Sequence, residues 1–468
     1  MRRGYRCPTV SGERLGLTES VSMALGGMIG GGIYAVLGVV AGITGPAIWL
    51  AFVAAGVVAL SSGYAYNALN RIDDENQGGS VSFVQSFVGN ATLAGMVGWT
   101  LLVGYIGSMA MYAFAFGEFA VAFGVVPDSI AGIGARPLLS VLAVAGFVGL
   151  NLLGAKTTGT AENVLVAAKV TILVAFGGLG LVYAFGFSPE MSLTLGFDRI
   201  AGFGPIMAAA ISFVAFEGWQ LLFYDQESIA DPVETIRTAV YISIPVVVVI
   251  YVLVGVVTVN LAPEAITHHP HVALKDAAEQ MMRPYGLAAL GGIVLTLSAL
   301  FSTGSAINAT LFSTAHFAKG MLQNDLLPDA IGRGDADGIP ERTVLVVGAI
   351  TAAFAVVGTL GAITSFASLS FIVVFGAMSY LAFRERDREG VHPIPPLVGL
   401  LGAAGFLPLM LIHLYRSEPQ TFTMVVVLAV TVVAVELLYF EHEEFEREID
   451  AVEEVALGKG ESLPPEPE

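Results

Sequence analysis

Long apolar runs alternate with short polar segments along almost the whole chain. A helix needs about 20 predominantly apolar residues to cross a bilayer. Runs of about that length recur, and we number them as predicted spans 1 to 12: 20–44, 47–69, 92–124, 137–153, 160–186, 202–223, 237–261, 285–318, 343–358, 361–383, 395–414 and 421–440. The pattern predicts an all-α polytopic membrane protein of about twelve transmembrane helices, with no separate soluble domain between them.

Composition agrees with this pattern. Of the 468 residues, 55% are hydrophobic and only 13% are charged, which is typical of polytopic membrane proteins. The net charge of -18 places many acidic side chains in loops and tails, which argues against a nucleic acid partner. The single Cys7 excludes an intrachain disulfide and a cysteine-built metal site, and we expect no cofactor. The polar N-terminus predicts no cleaved signal peptide.

Basic residues between the predicted spans indicate an orientation. With the N-terminus in the cytoplasm, the cytoplasmic segments carry 15 Lys and Arg residues and the outer segments carry 5. Because cytoplasmic loops are enriched in Lys and Arg, this bias predicts an even number of spans in the cell membrane. Both termini are then predicted to be cytoplasmic.

Span 1 is unusually rich in glycine. The stretch SMALGGMIGGGIYAVLGVVAGITGP, residues 22–46, places five glycines in its first half, although each costs a helix about 1 kcal/mol relative to alanine. One interpretation is close helix packing, since Gly27 and Gly31 form a G-x-x-x-G pattern. The other is a helix that opens inside the membrane, where freed backbone groups bind a ligand.

A second irregularity, in span 6, favours the opened helix. FVAFEGW (213–219) places Glu217 and Gly218 in an otherwise apolar run. In a repeat of five spans, span 6 corresponds to span 1, and transporters with inverted repeats carry one break in each half. Glu217 has three candidate roles: it pairs with an ammonium group of the substrate, joins a proton relay, or caps broken backbone.

Lys169 lies near the middle of span 5, where a lysine costs about 2.5–3.5 kcal/mol on insertion scales. That cost favours a functional role, such as proton carrier, over a lysine that snorkels to the membrane surface. The hydroxyl groups of Ser302, Thr303 or Ser305 on span 8 are candidate acceptors for its ammonium group.

Other polar groups indicate little chemistry. His268, His269 and His271 lie in a predicted outer loop without an acidic or cysteine partner at ligand spacing, so we expect no metal site there. His316 is either a gating residue near the inner mouth or a satisfied histidine. The sequence shows no nucleophile–base pair, P-loop or carboxylate dyad, so we expect no enzymatic activity.

Two motifs carry a resemblance to a known family. GGMIGGGIY resembles the glycine-rich span-1 motif of the amino acid–polyamine–organocation (APC) transporters, where a G-x-G-I-F/Y pattern unwinds the helix. FVAFEGWQLLFYDQESIADP resembles their span-6 pattern, an aromatic–glycine break followed by Glu-x-x-x-Asn-Pro. Glu227, Asp231 and Pro232 take those places, with Asp231 instead of the usual Asn.

Further motifs extend the resemblance through span 10. They are GYAYNALNRIDDENQGGSVSFV between spans 2 and 3, NLLGAKTTGTAENVLVAAKV leading into span 5, STAHFAKGMLQNDLLP at the end of span 8 and GIPERT before span 9. His316 stands where the family commonly has Arg, and the span 2–3 loop lacks the frequent Glu and Pro. The resemblance implies the leucine-transporter-type fold, a five-plus-five inverted repeat with two C-terminal helices. The expected parts are a cytoplasmic N-terminus (1–18), a first repeat (19–186), a second repeat (201–383), spans 11 and 12 (394–440) and an acidic cytoplasmic tail (441–468).

The resemblance implies a secondary active transporter (permease) of amino acids or related amines, working by alternating access as an antiporter or proton symporter. In proton-coupled or uncoupled members of the family, a lysine resembling Lys169 occupies the space where sodium-coupled relatives hold sodium. The resemblance therefore implies sodium-independent transport, with a proton as candidate coupling ion. The alternatives are a polyamine or organic cation transporter and a transporter-like sensor without net transport.

The resemblance also implies a site. The span-1 glycines hold a substrate carboxylate, carbonyls around the span-6 break hold its amino group, and Trp219 or Phe216 gates the pocket. The candidate substrate-binding residues are Ile29, Gly30, Gly31, Gly32, Phe213, Ala215, Phe216, Glu217, Gly218 and Trp219. The candidate ion-coupling residues are Lys169, Ser302 and Thr303.

Overall fold

The computed structural model describes residues 14–73, 78–153, 159–186, 193–224, 226–324, 326–327, 332 and 340–435. The predicted acidic tail, most of the N-terminal segment and the start of GIPERT lie outside these residues.

The described residues form fifteen α-helices and one two-stranded antiparallel sheet. The helices are α1 (Leu17–Thr44), α2 (Ile48–Ile72), α3 (Ser80–Val88), α4 (Ala91–Ala122), α5 (Ala135–Leu152), α6 (Gly159–Gly186), α7 (Phe203–Ile211), α8 (Pro232–Leu261), α9 (Pro263–His268), α10 (Ala273–Met282), α11 (Ala288–Gln323), α12 (Glu341–Val357), α13 (Leu360–Arg384), α14 (Ile394–Ser417) and α15 (Pro419–Val435). The strands are β1 (Ser129–Ile130) and β2 (Ile133–Gly134). Short 3₁₀ helices cover Gly45–Ala47, Phe197–Arg199, Ser212–Phe216, Trp219–Tyr224, Gln226–Ser228, Pro270–Val272 and Arg283–Tyr285.

Nine helical stretches of the described chain are long and apolar enough to cross a membrane. The first, Leu17–Ile72, contains both α1 and α2, which meet at the 3₁₀ turn Gly45–Ala47. α12 and the described part of α15 contain 17 residues each, and neither is among these nine stretches. The fold is therefore that of a multi-pass membrane protein, while the count of twelve helices stays a prediction.

Burial separates central from peripheral helices. The broken span 6 and α13 are almost entirely buried, whereas α5, α6 and α14 expose most of their apolar residues. In a bilayer, those exposed apolar faces contact lipid, and every backbone group of the central helices must be satisfied inside the protein. α1, α2, α8, α11 and α13 pack against the two 3₁₀ helices that flank the break in span 6.

Span 6 is broken at the predicted place. α7 ends at Ile211, and the chain continues as a 3₁₀ helix over Ser212–Phe216. Glu217 is extended, with φ −79° and ψ 155°, and Gly218 has φ +125°, a value that favours glycine. A second 3₁₀ helix follows over Trp219–Tyr224.

Span 1 is not broken, so the predicted opening of this helix is wrong for this conformation. α1 is one α-helix of 28 residues through the whole glycine-rich stretch. The N–H groups of Gly30, Gly31 and Gly32 therefore bond within the helix rather than facing a ligand. The physical reason is packing, because neighbouring elements approach α1 so closely that only glycine leaves room.

Each of these glycines faces a different neighbour. A Cβ atom at Gly27 would lie 2.7 Å from Cα of Gly218, so the two backbones cross with no space for a side chain. A Cβ at Gly30 would lie 2.6 Å from that of Ala306 on α11. Gly31 lies against Tyr112 of α4, and Gly32 lies against Tyr251 of α8. The glycines therefore allow close helix packing.

Candidate functional site

The carboxylate of Glu217 lies at the break in span 6 and is 1% exposed. The Tyr112 hydroxyl, on α4, donates a hydrogen bond of 2.6 Å to Oε1 of Glu217. The amide Nε2 of Gln220 donates one of 2.9 Å to Oε2, while Oε1 of Gln220 accepts from the N–H of Gly218 at 2.6 Å. Both donors to the carboxylate are neutral, so they orient Glu217 without cancelling its charge.

Tyr251 joins the break to α1. Its hydroxyl lies 2.5 Å from the carbonyl oxygen of Met28 and 2.9 Å from that of Ala215, and the two carbonyls share its single hydrogen. The side chain is fully buried, and its ring lies against Phe52 and Phe216. The carbonyl of Ala215, beyond the end of α7, thus has a donor inside the protein, as a membrane interior requires, while the carbonyl of Met28 also accepts within α1.

Lys169 also reaches α1. Its Nζ donates to the carbonyl oxygen of Gly26 at 2.9 Å, and the residue is 5% exposed. This burial is unlike that of a lysine that snorkels to the membrane surface. Ser302 on α11 donates to the carbonyl oxygen of Ile29 at 3.4 Å, whereas Thr303 donates within α11, to Ala299 at 2.7 Å.

One more polar contact joins α1 to α11. The hydroxyls of Tyr34 and Ser298 lie 2.7 Å apart in buried surroundings. Lys169, Ser298 and Ser302 also line a mainly apolar cavity of about 270 Å³ between α6 and α11. Side chains of α6 and α11 therefore bond to α1 at several levels between Gly26 and Tyr34.

Aromatic rings surround Trp219 next to the break. Trp219 is fully buried, and its ring centroid lies 5.1 Å from those of Tyr66 and Phe375. Phe213 packs on Phe375 at 5.7 Å. Phe216 lies on the other side, against Tyr251. Trp219 and Phe216, the two predicted gating residues, thus lie among large buried rings that must move before a path can open there.

The 3₁₀ turn before α10 packs on the C-terminal half of α1. A Cβ atom at Gly38 would overlap the carbonyl of Pro270, so the 3₁₀ turn Pro270–Val272 packs directly on α1. The ring of His271 lies 5.4 Å from that of Phe114, which also carries the guanidinium of Arg136 at 4.0 Å. Burial lowers the pKa of His271, and Glu118 partly offsets this effect.

The remaining histidines lie outside this packing. His268 and His269 are exposed and line a cleft of about 1130 Å³ together with acidic side chains such as Asp276, which lies 3.1 Å from His269. Among the described residues, no group of three or more His, Cys, Asp or Glu side chains is placed to hold a metal ion. His316 is exposed and lies 2.9 Å from the carbonyl oxygen of Phe312 in its own helix.

The structure brings the span-6 candidates close to the glycines of span 1, but it also shows residues that sequence reasoning missed. These are Tyr112, Gln220, Tyr251, Tyr34 and Ser298. Tyr34 and Gln220 lie inside the span-1 and span-6 motifs, but nothing in those patterns assigned them a role. No local pattern distinguishes Tyr112, Tyr251 and Ser298, which only their contacts across helices identify.

Comparison with known proteins finds a permease family and membrane transporters. A family model described as amino acid permease matches residues 15–435. The inner membrane transport protein YbaT of Escherichia coli is 28% identical over 404 residues, covering 84% of this chain and 89% of that protein. The methylthioribose transporter of Bacillus subtilis is 22% identical, covering 79% of this chain and 80% of its own.

A solved structure has a similar fold. The crystal structure of a manganese transporter from Eremococcus coleocola matches with a TM-score of 0.58 and 11% sequence identity. The match covers 90% of this chain and 92% of the other. At this identity the match shows the fold alone, which is of the leucine-transporter type.

Proposed function

Because the chain belongs to the amino acid permease family, we propose that it moves an amino acid or a related amine across the cell membrane by alternating access. It is a multi-pass membrane transporter of the APC family, and its relatives are transporters rather than enzymes. The observation that carries the substrate proposal is the buried carboxylate of Glu217 at the break in span 6.

Glu217 is the proposed partner of the substrate's amino group. The donors in its bonds to Tyr112 and Gln220 are neutral, so a cationic amine would supply the opposite charge that these side chains do not. The carbonyls of the 3₁₀ stretch Ser212–Phe216 lie next to it and are candidate acceptors for the same amine. Of these, Ala215 already accepts from Tyr251, so the amine shares that oxygen or bonds another.

The substrate carboxylate is assigned to the glycine-rich stretch of α1. Because its N–H groups bond within the helix in this conformation, binding requires α1 to loosen between Ile29 and Gly32. The weak helix propensity of glycine lowers the cost of that change. The zwitterion would then lie between two helices that offer opposite charges.

Alternating access requires one group of helices to move against the other. If spans 1, 2, 6 and 7 form the moving group, four bonds of the site described above cross the boundary. They are Tyr112 to Glu217, Lys169 to the carbonyl of Gly26, Ser302 to the carbonyl of Ile29, and Tyr34 to Ser298. These bonds must break or shift during the cycle, and the one that carries a titratable ammonium group makes Lys169 a candidate site for coupling to a proton.

The proposed coupling is sodium-independent, as proton symport or as exchange. The ammonium group of Lys169 supplies a positive charge against α1, close to Ser302, which also bonds that helix. Loss of its proton would weaken the contact with the Gly26 carbonyl and favour separation of the helices. The cytoplasmic location of both termini is part of the same proposal.

Uptake into proteoliposomes tests the proposal. The panel comprises labelled amino acids, their decarboxylated amines, polyamines and methylthioribose, each with and without pH and sodium gradients. Uptake of at least one amino acid, independent of sodium, is expected. Competition by a decarboxylated amine as strong as that by its parent amino acid would instead favour a polyamine or organic cation transporter. Binding without uptake under every gradient would favour a sensor.

A further inference from the structure

We infer that Tyr251 is a positioning residue whose hydroxyl fixes the broken span 6 against span 1. The inference about backbone geometry stands on contacts alone. Its consequence for substrate affinity rests on the proposed function. Tyr251 lies in the middle of α8, and nothing in the sequence around it distinguishes it from other aromatic residues of that span.

The hydroxyl bridges two separate elements. Its acceptors are the carbonyl of Met28 in α1, at 2.5 Å, and the carbonyl of Ala215 in the 3₁₀ stretch, at 2.9 Å. Ala215 lies beyond the end of the regular α-helix of span 6, so its carbonyl lacks the N–H donor that a continuing α-helix would provide. A carbonyl left without a donor inside a membrane is costly, and Tyr251 supplies the donor.

The surroundings of the hydroxyl leave it no alternative position. A Cβ atom at Gly32 would overlap the Tyr251 hydroxyl and lie 2.9 Å from the Ala215 carbonyl oxygen. The space that glycine leaves at position 32 is therefore the space that the bridge occupies. The rings of Phe52 and Phe216, with centroids 5.3 and 5.4 Å from that of Tyr251, hold the phenol from two sides.

The Tyr251 bridge differs in kind from the Tyr112 bond to Glu217. Tyr251 and both acceptors belong to spans 7, 1 and 6, which are proposed to move together, whereas Tyr112 belongs to span 3. The Tyr251 bridge therefore persists through the transport cycle, while the Tyr112 bond changes. A persistent bridge keeps the break and the glycine-rich helix at a constant separation, and the two ends of a zwitterion need that separation to stay constant.

Hydrogen–deuterium exchange of the purified full chain tests the bridge without any substrate. Tyr251→Phe keeps the ring and removes the hydroxyl. Backbone amides of residues 213–223 should then exchange about tenfold faster than in the parent, because the one hydrogen that the carbonyls of Met28 and Ala215 share is lost. The matched control is Thr258→Val on the same helix, where the buried hydroxyl donates only within α8, to the carbonyl of Val254. Parent-like exchange is expected there.

A second variant keeps the test decisive if Tyr251→Phe is poorly stable. Gly32→Ala keeps the Tyr251 hydroxyl group, but the new methyl group displaces it from the two carbonyls. Exchange should therefore rise over residues 213–223 in this variant too. Parent-like exchange in both variants would overturn the inference, as would an equal rise in Thr258→Val, which would indicate general loosening.

Transport kinetics test the consequence for the substrate. With an amino acid that the parent transports, Tyr251→Phe should raise KM about tenfold and change kcat less than twofold. Faster exchange with an unchanged KM would confirm the bridge and refute its role in substrate positioning. A parent that transports no amino acid would refute the proposed function, while the exchange result would still decide the bridge.

Discussion

Replacement of Gly31 by alanine should weaken substrate binding through the contact between α1 and Tyr112. A Cβ atom at position 31 would lie 2.8 Å from Cγ of the Tyr112 ring and would overlap Cδ1 and Cε1. Because both residues are fully packed, the ring must move away, and the hydroxyl then leaves Oε1 of Glu217. The substitution therefore reaches the Glu217 carboxylate without touching it.

The magnitude follows from the bond that is lost. A hydrogen bond to a charged group contributes about 1.5–3 kcal/mol, and each 1.4 kcal/mol changes a binding constant tenfold. Gly31→Ala should thus weaken the binding of a transported amino acid roughly 10- to 100-fold. Overpacking should also lower the free energy of unfolding by about 1–3 kcal/mol. Tyr112→Phe removes the same bond without the steric overlap, so it should show the loss of affinity with less loss of stability.

The assay is equilibrium binding by purified protein in detergent or nanodiscs, with a thermal unfolding curve for each variant. Gly42→Ala is the matched control, because it lies in the same helix and a Cβ there meets nothing within 4 Å. It should bind as the parent does. Parent-like affinity in Gly31→Ala, or an equal loss in Gly42→Ala, would refute the reasoning.

Three further predictions concern other parts of the molecule. Lys169→Met and Lys169→Ala should lose transport or its pH dependence while membrane insertion persists, as uptake and surface labelling would show; a parent that needs a sodium gradient would contradict this. Gly218→Ala should lower the unfolding temperature by several degrees, since Gly218 has φ +125° and its new Cβ would lie 2.7 Å from Cα of Gly27; an unchanged temperature would argue against the backbone crossing. The pKa of His271 is lowered from the ordinary histidine value of about 6.5, so the neutral form of the side chain stabilises the packed loop above pH 6.5. This stability is lost as the pH falls below 6.5. Exchange of the backbone amides of residues 271 and 272, corrected for intrinsic rates, should therefore rise on acidification in the parent and in the exposed-histidine control His269→Gln but not in His271→Gln. The same rise in His271→Gln would exclude this histidine as the cause.

Features that depend on local sequence could be predicted. An apolar run of about 20 residues has few options in a bilayer except a helix, since its backbone must bond internally. The helices of the described residues therefore lie close to the predicted runs, as Ile48–Ile72 does for 47–69. The break in span 6 could also be predicted, because Glu217 and Gly218 are costly in an apolar helix unless they have a function. Lys169 could be singled out for the same reason.

The outcome for the glycines of span 1 depended on residues far away in the chain. Low helix propensity permits both an opened helix and a closely packed one, and the neighbours determine which forms. Gly218, Ala306, Tyr112 and Tyr251 pack against α1 and retain the helix, yet they lie 81 to 276 positions from the glycines they contact. The hydrogen bonds of Tyr112 and Tyr251 likewise depend on which faces of distant helices meet. The sequence by itself thus determined the spans and the costly residues within them, because those follow from the solvation of each segment. Only the tertiary structure decided their partners, because side-chain contacts across helices have no local pattern.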